Sequence, residues 1–137
     1  VPSPLYHNGL VYFVKNGGVL TCLELKTGKS IYRMRTSGSG THYSSPIIAD
    51  GKLFTISGAG RITVLSLGPA AKILATNEMG EPTYATPAVV DGTIYVRTHT
   101  RLFAFANQKW TDLATQRGSF VSVRFSYTLQ NIIEFIE

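Results

Sequence analysis

The sequence predicts an all-β protein assembled from consecutive four-stranded antiparallel units, and three observations carry that expectation. A proline-led pattern recurs three times at nearly constant spacing. Each copy places an Asn-Gly or Asp-Gly pair between two short apolar runs. The composition, 44 % hydrophobic and 15 % charged residues with 13 glycines, is that of a chain that forms a core and turns often.

The repeat is read directly from the residues. Ser3-Pro4-Leu5-Tyr6-His7-Asn8-Gly9-Leu10-Val11-Tyr12 aligns with Ser45-Pro46-Ile47-Ile48-Ala49-Asp50-Gly51-Lys52-Leu53-Phe54. Both align with Thr86-Pro87-Ala88-Val89-Val90-Asp91-Gly92-Thr93-Ile94-Tyr95. Pro4, Pro46 and Pro87 stand 42 and 41 residues apart, and so do Gly9, Gly51 and Gly92. Agreement at several independent positions makes this a true internal repeat, and its period limits the architecture.

Each unit opens with a short strand after its proline, where the missing N–H need not enter a ladder. Asn8-Gly9, Asp50-Gly51 and Asp91-Gly92 then predict type I′ hairpin turns, because both central residues of that turn need positive φ. Second strands are predicted over 10–14, 52–57 and 93–98, and third strands over 19–25, 61–67 and 101–105. Fourth strands are predicted over 30–35 and 71–76; the third copy loses its recognisable fourth strand after Asn107. Four antiparallel strands every 40 residues or so are the signature of a β-propeller blade. One such sheet cannot cover both its faces, and stacking the next upon it builds the core. The fold class is therefore an all-β propeller fragment of about three four-stranded antiparallel blades: blade 1 at 1–43, blade 2 at 44–84 and an incomplete blade 3 at 85–108. The non-repeat tail at 109–137 is a candidate for completing blade 3; Phe120 to Tyr127 alternates as a strand would, and Leu129 to Ile136 is apolar, a short helix or another strand.

The run Gly18-Val19-Leu20-Thr21-Cys22-Leu23-Glu24-Leu25-Lys26-Thr27-Gly28-Lys29-Ser30-Ile31-Tyr32 resembles the PQQ-like, quinoprotein-type propeller repeat. Glu24 stands at the acidic position, Thr27-Gly28-Lys29 at the turn, and Tyr32 where that repeat usually has tryptophan. The resemblance covers residues 3 to about 107. It departs from the pattern in blade 2, which has Leu67-Gly68-Pro69 in place of Thr-Gly-Lys, and in lacking the closing tryptophan. The resemblance implies a ring of about seven or eight blades. The remaining blades are then expected from residues beyond this chain, which would be a C-terminal part of a larger propeller. It also implies a periplasmic or otherwise extracytoplasmic location. The chain itself opens at Val1-Pro2 without the basic and apolar segments of a secretory leader.

Catalytic chemistry is poorly represented. A quinone enzyme needs a calcium held by carboxylate and amide oxygens and a carboxylate base. Of the five acids before the tail, Asp50 and Asp91 belong to turns, Glu24 to the repeat, and only Glu78 and Glu81 are unassigned. Neither a Gly-x-Ser-x-Gly elbow, a His-Glu-x-x-His pair nor a phosphate loop occurs. The lone Cys22 sits in an apolar alternating run and reads as a buried small hydrophobe. No catalytic, metal or cofactor-binding residue is assigned, and no cofactor is expected; PQQ and calcium belong only to the enzyme alternative.

The net charge is +5, but the basic residues are spread singly, with no run longer than Arg33-Met34-Arg35. That distribution argues against nucleic acid, and no stretch approaches the roughly 20 apolar residues of a membrane span. Loops entering each first strand and joining second to third strands share one face of a propeller. They bring His42, Tyr43, Arg61, Tyr84 and Arg101 to one rim, an expected aromatic and basic surface for an acidic or extended protein partner. The expected function is a non-catalytic binding scaffold resembling the outer-membrane assembly lipoprotein propellers. The alternatives are a fragment of a quinone-dependent alcohol or sugar dehydrogenase, and a propeller sensor domain fused to a kinase.

Overall fold

The computed structural model describes residues 2–106, and the tail expectations at Phe120 to Tyr127 and Leu129 to Ile136 lie outside them. Eleven strands form three separate antiparallel sheets. Blade 1 contains β1 (Leu5–His7), β2 (Leu10–Lys15), β3 (Val19–Glu24) and β4 (Ser30–Arg35). Blade 2 contains β5 (Ile47–Ala49), β6 (Lys52–Ile56), β7 (Arg61–Ser66) and β8 (Ile73–Glu78). Blade 3 contains β9 (Ala88–Val90), β10 (Thr93–Arg97) and β11 (Leu102–Ala106). Within each sheet the strands neighbour one another in chain order, so every connection is a simple meander.

The hairpin chemistry is as the sequence predicts. Asn8, Asp50 and Asp91 have φ of 46°, 46° and 48°, and the glycines after them are also positive, which is the type I′ geometry. These turns fix register: Leu10 pairs with His7, Lys52 with Ala49 and Thr93 with Val90.

Blade 2's fourth strand begins at Ile73, two residues later than the sequence reading. The turn before it is wide. The Ser66 N–H donates to the Lys72 carbonyl at 2.9 Å and the Lys72 N–H to Ser66 Oγ at 2.9 Å, so Pro69 and its neighbours stay in the loop. The shift brings Glu78, which the sequence leaves without a task, into the end of β8. Both complete blades bulge at the same step of the third strand, between Cys22 and Leu23 and between Val64 and Leu65.

Packing follows the two-residue alternation of the strands. On β6, Leu53 points into a cluster with Tyr12, Leu20, Cys22 and Leu65, between blades 1 and 2. Its neighbours Phe54 and Ile56 point the other way, into a cluster with Ile62, Val64, Ile94, Val96 and Phe105, between blades 2 and 3. Blade 2 thus buries one face on each of its neighbours, at about 1.5–3 kcal/mol for each large side chain removed from water. Cys22 is fully buried and unbridged, as its apolar context implies. The Tyr12 hydroxyl accepts from the Gly68 N–H at 3.2 Å, tying blade 1 to the wide turn of blade 2.

Candidate interaction face

The linkers from β4 to β5 and from β8 to β9 cross the same face as the β2–β3, β6–β7 and β10–β11 loops. Backbone rungs lace them together. The Gly58 N–H donates to Thr41 O at 2.7 Å, Thr83 N–H to Gly58 O at 3.1 Å and His99 N–H to Pro82 O at 2.9 Å. The crossings are too close for side chains. A Cβ on Gly18 would lie 1.9 Å from the Gly38 carbonyl, and one on Gly60 would lie 2.0 Å from the Glu81 carbonyl. Gly18 and Gly60 also have positive φ, so glycine is required there twice over.

A second seam runs through the Ser/Thr-Pro positions of the repeat. The Ser3 N–H donates to Ser45 Oγ at 2.8 Å, and the Ser45 N–H donates to Thr86 Oγ1 at 2.9 Å. One hydroxyl per blade therefore receives the N–H of the preceding blade, which gives the repeated Ser/Thr a structural task.

Of the five rim residues expected from the sequence, Tyr43 and Tyr84 come together. Their rings meet edge to face, with centroids 5.2 Å apart and planes at 62°, and both are well exposed. Such a pair keeps aromatic area in water without losing ring geometry, the makings of a contact anchor. Arg61 and Arg101 are engaged locally. The Arg61 guanidinium pairs with Glu78 and donates through Nη1 to Ser37 O at 2.8 Å, while Arg101 Nε lies 3.1 Å from Glu81 Oε1.

His42 is the correction. It is not on the rim but 2 % exposed beneath it, its N–H donating to Asn16 Oδ1 at 2.9 Å. Burial holds its pKa below the usual 6.5, so the ring is neutral near pH 7. Sequence reasoning placed it by loop position, and a buried linker histidine has the same signature as an exposed one.

Glu81, which the sequence leaves without a task, clasps the β10–β11 loop. The Thr98 and Thr100 hydroxyls donate to its two oxygens at 2.7 Å each, and the Thr100 N–H donates at 3.1 Å. These bonds, with Arg101 beside them, hold the carboxyl down to about 2. Arg97 was passed over; it lines an open groove with Tyr84, Ala85, Thr98 and His99.

The carboxylates that would have to hold a calcium and quinone have other tasks. Asp50 and Asp91 hold turns, Asp50 also pairing with Lys52 at 3.2 Å. Glu24 accepts from the Thr27 hydroxyl, Glu78 faces Arg61 and Glu81 is saturated by its clasp. Among the described residues no three His, Cys, Asp or Glu side chains converge, so these donors do not fit that group. The described residues also include no helix long and apolar enough to cross a membrane.

No family model matches the chain, and no curated protein matches it in sequence. Solved structures do match in shape. BamB from Moraxella catarrhalis superposes with a TM-score of 0.62 at 22 % identity, over 86 % of this chain and 35 % of that one. The quinohemoprotein alcohol dehydrogenase from Comamonas testosteroni gives 0.58 at 15 % identity, over 69 % of this chain and 16 % of that one. A europium-containing methanol dehydrogenase gives 0.61 at 17 % identity, over 75 % and 22 %. The chain therefore spans about a third or less of the length of each of these proteins. Sheet order, blade packing and these likenesses together identify the described residues as consecutive blades of a β-propeller fold like that of these proteins.

Proposed function

We propose that the chain is a segment of a larger, extracytoplasmic PQQ-like propeller that serves as a protein-binding scaffold. The observation that carries this reading is the exposed Tyr43–Tyr84 pair on the laced loop face. Rigid backbone rungs beneath it fix its position, and its aromatic rings are preorganised for contact at little entropic cost. Glu78, Glu81, Arg61 and Arg101 are spent on holding the loops. Their arrangement supports a built platform.

The second reading, a piece of a quinone-dependent dehydrogenase, is favoured by the likeness to a quinohemoprotein alcohol dehydrogenase. One pair of measurements separates the two. A photo-cross-linker at exposed Thr41, beside the tyrosine pair, should capture a discrete protein partner, and Tyr43→Ala with Tyr84→Ala should weaken that capture. Reduction of an artificial dye by the protein supplied with PQQ and calcium would overturn the scaffold reading.

A further inference from the structure

Two Asn-Gly pairs occur in the sequence, Asn8-Gly9 and Asn16-Gly17, and the fold treats them differently. Such a pair has a chemistry of its own. The glycine nitrogen, with no side chain to shield it, can attack the asparagine side-chain carbon and expel ammonia. Both pairs lie in turns between strands of blade 1, and both asparagines are exposed. Solvent access therefore does not separate them, but hydrogen bonding does.

At Asn16 both reacting groups are committed to the β4–β5 linker. The Gly17 N–H donates to Gly40 O at 2.6 Å, and Asn16 Oδ1 accepts the His42 N–H at 2.9 Å. Conversion there waits on release of that linker. At Asn8 the Gly9 N–H and Asn8 Oδ1 have no partner among the described residues. The side chain's hydrogen bond runs from Asn8 Nδ2 to His7 Nε2 at 3.1 Å, which sets an imidazole beside the nitrogen that would leave. The hairpin around Asn8 is also the weaker one. Its first strand, β1, lies at the edge of its sheet and meets β2 over three residue pairs, against six between β2 and β3, so local opening costs little.

We propose that Asn8 is a site of spontaneous deamidation, assisted by His7, and that the fold protects Asn16 from the same reaction. The Gly9 nitrogen bonds to Asn8 Cγ and loses its proton to solvent. The Cγ–Nδ2 bond breaks, and the His7 imidazolium supplies the proton with which ammonia leaves, regaining it from solvent. Water then opens the cyclic imide at either carbonyl. Opening at one gives aspartate, the residue blades 2 and 3 already hold there as Asp50 and Asp91, with the same positive φ. Opening at the other gives isoaspartate, whose main chain is one methylene longer. That form cannot keep the two-residue turn, the His7–Leu10 register or the Leu25 N–H bond to Gly9 O at 2.8 Å. Leu5 then loses its place on the cluster that contains Tyr12 and Leu53. The hairpin is thus a slow chemical clock with one silent product and one that loosens blade 1.

The test incubates the whole chain in near-neutral buffer, with a parallel sample in denaturant, and follows each asparagine by peptide mapping and mass spectrometry. The denatured chain should convert at both Asn-Gly pairs, and the folded chain at Asn8 alone. An isoaspartyl-specific methyltransferase should label the aged folded chain at that position. His7→Gln should slow conversion at Asn8 several-fold in the folded chain and leave the denatured rate at Asn16 unchanged. Asn8→Asp should melt like the parent chain, whereas the isoaspartyl fraction should melt lower. Conversion at Asn16 as fast as at Asn8 in the folded chain, or none at Asn8 while the denatured chain converts, would overturn the proposal. An unchanged rate in His7→Gln would overturn the part given to His7. These outcomes do not touch partner capture at Thr41, which tests the scaffold reading separately.

Discussion

The two interblade junctions use the same fold with different chemistry. The blade 2–3 junction is apolar through its depth, built from Phe54, Ile56, Ile62, Val64, Ile94, Val96 and Phe105. The blade 1–2 junction has an apolar half around Tyr12, Leu20, Leu53 and Leu65, and a polar half. There Thr55 and Thr63, paired across β6 and β7, occupy the positions that Val96 and Phe103 hold one blade later. Thr63 is satisfied by the N–H and hydroxyl of Ser37, while Thr55 Oγ1 and His42 Nε2 are buried without a partner. A propeller junction thus tolerates hydroxyls in its core where a linker residue reaches in to bond them, and leaves strain where none does.

The largest expected effect is on the apolar junction. Phe54→Ala should lower unfolding stability by about 3–5 kcal/mol, measured by chemical denaturation, because the neighbouring sheets cannot collapse into the space. Gly60→Ala comes next and attacks the linker crossing. Its Cβ would meet the Glu81 carbonyl, so the loss should exceed that of Gly92→Ala, where φ is also positive but no atom lies within 4 Å. The latter should cost about 1–2 kcal/mol, the conformational part alone.

Smaller changes sharpen the contrast at the polar junction. Thr55→Val, which copies blade 3, should raise stability by about 1 kcal/mol by removing an unsatisfied hydroxyl. Thr63→Val should lower it by about as much, because Ser37 then loses its partner. Opposite signs for two threonines that face each other would confirm the hydrogen-bond reading, and equal signs would break it.

The junctions should also titrate apart. The His42 pKa is depressed by folding, so its stabilising contribution is complete above about 6.5 and is lost as pH falls toward its folded value. The Glu81 carboxyl is held at about 2 against an ordinary 4.5, so its clasp weakens only as pH falls below 4.5. Stability measured against pH should therefore decline in two steps, and His42→Gln should remove the upper one alone. The smallest effect belongs to the Lys52–Asp50 pair, whose carboxylate is exposed; Lys52→Met, which keeps the part-buried stem, should change stability by less than about 0.5 kcal/mol.

Much of this was legible beforehand. The hairpins at Asn8-Gly9, Asp50-Gly51 and Asp91-Gly92 follow from local backbone preference, and the blade count follows from the period. The fourth strand of blade 2 was misplaced by two residues because Ser66 closes a wide turn through a side-chain bond that has no sequence signature. The site was half legible. Tyr43 and Tyr84, expected among five residues on one rim, lie there in contact and exposed, but His42, one residue away, lies buried beneath it.

The sequence by itself determined the repeat, the strand order and the turn types, because each depends on residues a few positions apart. Only the tertiary structure decided which hydroxyls are satisfied, which arginines are spent on carboxylates, and that Ser45 and Thr86 stitch neighbouring blades. Those outcomes depend on atoms 17 to 42 residues apart meeting within 3 Å or so, and a distance of that kind exists only once the strands and sheets have packed.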